Sequence, residues 1–96
     1  MYKVLDPLLH SQLRLAIVSL LMSNDEVDFN QIKETTNATS GNISVQIKKL
    51  QKAGYVEVIK SFKNNYQNTS LKITNKGIKA FEAYVESLKQ YIKKDK

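Results

Sequence analysis

The sequence predicts an α+β, mostly helical domain: a three-helix core, a β-hairpin and a long C-terminal helix. Three observations point there. Apolar residues recur at three- and four-residue spacing in four separate segments, the mark of helices with one buried face. Between the third and fourth of these, Tyr55 to Phe62 turns β-branched and aromatic, and Ser70 to Ile73 supplies a second short run. The 96 residues are 42% hydrophobic with only 3 Gly and 1 Pro, enough for one compact core and without a low-complexity linker to divide it.

Asp6 before Pro7 predicts a helix start, because the carboxylate accepts from first-turn amides and proline lacks only an N–H that would have no partner there. Leu9, Leu13, Ala16, Ile17, Leu20 and Leu21 give this helix an apolar face as far as about Ser23. After Val27, Asp28 with Gln31 has the capping-box spacing and opens a short second helix through about Thr35, anchored by Phe29 and Ile32. Asn37, Ala38 and Thr39 break the pattern. Ile43, Ile47 and Leu50 then define a third helix, about 40–53, ending at Gly54.

In the run that follows, Val56, Val58 and Phe62 alternate with Glu57, Ile59 and Ser61, and the stretch from Lys63 to Asn68 reads as a polar connection at the hairpin tip. Thr74 caps the last helix, expected over 74–94, with Ile78, Phe81, Val85, Leu88 and Ile92 on one stripe and Ala80, Tyr84 and Tyr91 widening it. Its distal residues extend beyond what so small a domain covers, which predicts a partner for them.

Composition excludes several chemistries. The chain has no Cys and a single His, so thiol nucleophiles, disulfides, redox motifs and thiolate metal sites are absent, and no catalytic constellation can be assembled. Neither a cofactor nor a metal is expected, and His10 reads as a surface or interface residue. The longest apolar run is far below the roughly 18 to 20 residues of a membrane span. No secretory signal is visible at the N-terminus, so a cytoplasmic protein is expected.

The net charge is +6, but its distribution says more. Between Ser40 and Ala80 eight lysines face one acid, Glu57, a local excess of +7, while the remainder of the chain carries −1. Such confinement suits a surface that meets phosphates.

The stretches LDPLLHSQLRLAIVSLL, VDFNQIKETT, SGNISVQIKKLQKAGYVEVIKSF and LKITNKGIKAFEAYVESL resemble the small stand-alone winged helix-turn-helix regulators related to the MarR and ArsR groups. The likeness covers nearly the whole chain and is most specific from Ser40 through Phe62. It implies a homodimeric, sequence-specific double-stranded DNA-binding transcriptional regulator, associated with the nucleoid, whose third helix enters the major groove and whose hairpin is the wing. ArsR-type sensors hold metal through Cys or clustered His and acids, which this sequence lacks. MarR-type repressors are longer, with added helices around a ligand pocket; any small-molecule inducer of this chain is unknown.

On a helix turning about 100° per residue, Gly41, Asn42, Ser44, Val45, Lys48, Lys49 and Lys52 lie away from the arc of Ile43, Ile47 and Leu50. The N-terminal part of a recognition helix reaches base edges, so Ser40, Asn42, Ser44 and Val45 are the base-contact candidates, with Asn42 suited to bidentate pairing with adenine. Lys48, Lys49 and Lys52 are the phosphate candidates. On the wing, about 60–68, Lys60, Lys63, Asn64, Asn65, Tyr66 and Gln67 are placed for backbone or the minor groove. Arg14, the only arginine, falls on the first helix, so the usual bidentate guanine contact is missing and an A·T-rich pseudo-palindrome is expected. Leu5, Leu8, Tyr84, Leu88, Tyr91 and Ile92 are the dimer-interface candidates. A repressor acting by occlusion fits this arrangement; the alternative is a winged-helix protein-interaction module within a transcription or processing assembly.

Overall fold

A computed structural model of the chain describes residues 2–92, and for Lys63 the backbone alone. The elements run α1 (Gln12–Ser23), β1 (Val27–Asp28), α2 (Phe29–Thr36), α3 (Ser40–Lys52), β2 (Val56–Lys63), β3 (Tyr66–Ile73) and α4 (Asn75–Leu88). The three strands form one antiparallel sheet in the order β1-β3-β2. This is the α+β winged helix-turn-helix expected from the sequence. Leu9, Ile17, Val18, Leu21, Ile32, Ile43, Ile47 and Leu50 close over Val27, Val56 and Leu71 of the sheet to form the core.

Local chemistry explains most boundaries. Asp28 caps α2 by accepting from the Gln31 amide at 2.8 Å. Asn37 ends that helix in the left-handed region, φ 58°, a conformation that its short polar side chain tolerates. Thr39 caps α3 through the Asn42 amide at 3.1 Å. At its other end Gly54, φ 82°, donates to the Gln51 carbonyl while Tyr55 donates to the Leu50 carbonyl, the paired bonds of a Schellman turn. Thr74 caps α4 on Gly77 at 3.0 Å and donates its hydroxyl to the Gly54 carbonyl at 2.6 Å, tying the two helix ends together.

Four expectations need correction. The first helix does not start at Asp6–Pro7. Asp6 does accept from the Leu8 amide at 2.9 Å, but only one turn forms, and Ser11 is extended (φ −152°) before α1 begins. The cause is tertiary: the Tyr55 hydroxyl donates to the other Asp6 oxygen at 2.5 Å, and the bend beyond that tie buries Leu9 completely. Burial, the hydrogen bond to Asp6 and the Asp6 charge together push the Tyr55 phenol up to about 12.

The polar connection Lys63–Asn68 is also shorter than expected. The strands pair as far as Lys63 opposite Tyr66, leaving only Asn64 and Asn65 in the turn, both at positive φ (53° and 68°) as a type I′ hairpin requires. Backbone pairing, not apolar alternation, carries the strands this far. Phe62, expected beside Val56 and Val58, accordingly stands on the protruding ribbon and is 79% exposed.

The last helix stops at Leu88 instead of continuing through 92, and residues 89–91 form a turn; the expected positions 93 and 94, with the terminal lysines, lie outside the described residues. Tyr91 stacks on Tyr2 with ring centroids 4.7 Å apart and donates its hydroxyl to the Lys3 carbonyl at 2.9 Å.

The buried face of α4 is also rotated from the expected stripe. It centres on Gly77 and Tyr84, with Val85 and Ile92 exposed, because Gly77 lets the helix approach the Tyr55 carbonyl more closely than any side chain would allow. The radius of gyration, 14.8 Å, exceeds the about 12.5 Å of a compact chain of this length, in keeping with a ribbon that projects from the core.

Candidate nucleic-acid interface

The buried arc of α3 is Ile43, Ile47 and Leu50, and Ser40, Gly41, Asn42, Ser44, Val45, Lys48, Lys49 and Lys52 are all exposed, Val45 by 50%. The helix thus offers a polar outer surface with one apolar contact at its crest. Its caps hold it there: Thr39 ties its first turn and Gly54 turns the chain straight into the ribbon.

The two flanks of α3 differ. On one flank Ser44, Lys48 and Gln51 line a groove whose other wall is Val58, Lys60 and Thr69 of the ribbon, floored by Phe29 and Ile47. An anion lying along this groove would meet ammonium groups from both elements. The register places Lys60 opposite Thr69 and Phe62 opposite Gln67, so strand alternation carries Gln67 one repeat farther out on the groove side. Tyr66, opposite Lys63, belongs to the other side and is 77% exposed. The Lys63 side chain lies outside the described residues.

On the opposite flank Asn42 accepts from Gln46 Nε2 at 2.9 Å, and Gln46 in turn accepts from Arg14 of α1. Neither Gln46 nor Arg14 was among the sequence candidates. Their link joins residues 32 positions apart, which no local spacing reveals. Gln51 and Thr69 of the groove were likewise not among them.

The lysine-rich segment does not gather on one surface. Lys48 and Lys60 line the groove, and Lys49 and Lys52 are exposed elsewhere on α3. Lys72 pairs across the sheet with Glu57, on the opposite face from Lys60, and borders Asp25 and Met22. Lys76 lies over the Tyr55 ring, 5.9 Å from its centroid, and Lys79 is exposed on α4.

Of the dimer candidates, Leu5, Leu8 and Leu88 already pack against the subunit's own core. Tyr84 is only 4% exposed and its hydroxyl meets His10 Nδ1 at 2.9 Å, so it has no free surface to offer a partner. Tyr91 is half covered by Tyr2, while Ile92 remains 67% exposed, near the end of the same chain as exposed Val85. Among the described residues no group of His, Cys, Asp or Glu could hold a metal ion, and no helix is long and apolar enough to cross a membrane.

Residues 13–92 match the family model described as a winged helix DNA-binding domain. The chain is 39% identical over 84 residues to an uncharacterised protein of Methanocaldococcus jannaschii, covering 88% of this chain and 91% of that one. It is 31% identical over 81 residues to an uncharacterised HTH-type transcriptional regulator of Pyrococcus abyssi, covering 83% of this chain but only 54% of that protein. Among solved structures it resembles a transcriptional regulator homologue of Pyrococcus horikoshii, with a TM-score of 0.82 at 28% identity over 88% of this chain and 84% of that one. At 14% identity it shares the fold alone with Escherichia coli MarR solved with operator DNA, at a TM-score of 0.71 over 85% of this chain and 57% of that one.

Proposed function

Because the chain belongs to the family of winged helix DNA-binding domains, we propose that it is a sequence-specific double-stranded DNA-binding transcriptional regulator, acting in the cytoplasm as a homodimeric repressor. In this reading α3 enters the major groove, with Ser40, Asn42, Ser44 and Val45 at base edges and Lys48, Lys49 and Lys52 on phosphates. The ribbon, through Lys60, Asn64, Asn65, Tyr66 and Gln67, follows the backbone or the neighbouring minor groove. The observation that carries the reading is the groove shared by Ser44 and Lys48 of α3 and Lys60 of β2, where cations from two elements converge beside the exposed crest of the helix.

The second copy is argued from apolar surface. Val4, Val85 and Ile92 are exposed on the terminal segments, an apolar surface for a twofold mate to cover, and in the proposed dimer the two copies of α3 stand about 34 Å apart, one turn of duplex. Selection from a random duplex library, combined with mass measurement in solution, tests the proposal. The expected result is a dimer that enriches an A·T-rich pseudo-palindrome and whose affinity falls steeply with salt, with a log–log slope of about −0.9 per phosphate neutralised. A monomer that binds every duplex equally and only weakly would instead favour an interaction module.

A further inference from the structure

The three-residue chain of hydrogen bonds on the inner flank of α3 determines which way an amide points. Arg14 donates through Nε to the Leu8 carbonyl at 2.6 Å and through Nη1 to Gln46 Oε1. A guanidinium has donors and no acceptor, so the Gln46 oxygen must face Arg14 and its nitrogen must face away. That nitrogen meets Asn42 Oδ1 at 2.9 Å, one helical turn earlier. The Asn42 oxygen is thereby turned toward the helix surface, and its NH2 is left as the exposed end of an exposed side chain.

Resting on the DNA-binding reading above, we propose that Arg14 and Gln46 are positioning residues that make Asn42 a hydrogen-bond donor toward the major groove. A donor recognises N7 of either purine, O6 of guanine or O4 of thymine, and it disfavours cytosine, whose groove edge offers only its own N–H donor. Bidentate pairing with adenine, the expectation from residue type alone, needs the oxygen and nitrogen of Asn42 side by side on the base edge; the bond from Gln46 takes one of the oxygen's two lone pairs and turns it toward Gln46, so the NH2 is the end presented first.

The test is duplex selection with the full chain and three variants. Gln46→Glu keeps an acceptor for Arg14 but has nothing to donate, so the Asn42 amide turns over and presents its oxygen. The expected result is a switch at one position of each half-site toward cytosine, the base the wild-type donor disfavours, with a change of about tenfold in relative affinity there and unchanged preference elsewhere. Arg14→Gln, which frees Gln46 to take either orientation, relaxes the same position without inverting it. Asn42→Ala, on an exposed residue, erases preference there and leaves the melting temperature unmoved. A Gln46→Glu protein that folds and selects the same base as wild type overturns the proposal, as does an Asn42→Ala protein with unaltered selection; in both cases DNA binding itself stands. A wild-type chain that selects no duplex at all sinks the DNA reading as well.

Discussion

Gly77 faces the backbone of Tyr55 so closely that a Cβ at position 77 would lie 2.2 Å from the Tyr55 carbonyl oxygen and 2.9 Å from Cγ1 of Ile73. The same carbonyl accepts from the Thr74 amide at 3.0 Å, so the first turn of α4 is clamped to the point where α3 hands over to the ribbon. This junction orients the two elements of the candidate interface.

Gly77→Ala is therefore expected to destabilise the fold by at least about 2 kcal/mol, because the clashing atom is backbone and cannot swing aside. Gly41, where an added Cβ would meet nothing within 4 Å, is the control: Gly41→Ala should stabilise by about 0.5 to 1 kcal/mol through helix propensity. Urea unfolding of the three proteins measures both.

Tyr55 supplies a pH signature. Its phenol is raised from 10.0 to about 12, first by burial and then by the hydrogen bond and charge of Asp6. The folded state thus holds this proton more tightly than the unfolded chain does. The stability it contributes is complete below pH 10 and is lost as pH rises from 10 to about 12. Tyr55→Phe should flatten the fall in stability across that window, and the wild-type minus variant tyrosinate absorbance should show a transition near pH 12. A difference titration centred at the ordinary phenol value would contradict this.

The ribbon turn tests through residue type. Asn65→Gly suits φ 68° better than any side chain and should leave the fold intact or raise stability by a few tenths of a kcal/mol, whereas Asn65→Val forces a β-branched residue into the left-handed region at a cost of about 1 to 3 kcal/mol in local hairpin order. Amide hydrogen exchange at Ser61 and Asn68, the hydrogen-bonded pair beyond the one that closes the turn, reads the difference.

The lysines divide by position. Lys48→Ala and Lys60→Ala should each weaken duplex binding and reduce the log–log salt slope by about 0.9, with base preference unchanged. Lys72→Ala, on the far face of the sheet beside Glu57, should leave both affinity and slope within error. Fluorescence anisotropy across a salt series would distinguish the two classes, and an equal loss from Lys72→Ala would contradict the assigned surface.

What is legible in the sequence is whatever is decided within a turn or two of chain. The faces of α3 follow from three apolar residues at helical spacing, and its ends from Thr39 and Gly54, so its exposed residues fall where the spacing puts them. The start of α1 does not, because Asp6 is claimed by Tyr55, 49 positions away, which a local capping signal cannot reveal. The face of α4 departs from its apolar stripe because the closest approach is made by Gly77, a residue with no apolar side chain to register in a periodicity. The charge excess from Ser40 to Ala80 is real as a sum, but alternation along β3 sends Lys72 to the wrong face for a shared surface.

β1 contains only Val27 and Asp28, paired with Leu71 and Ser70, so beyond Ser70 the sheet narrows to two strands fixed at one end. That outer half is a cantilever. The residues at its tip lie outside the packed core, so they can be exchanged over evolutionary time with little penalty to the body that carries them. New recognition properties can arise there by drift while the scaffold remains under separate selection.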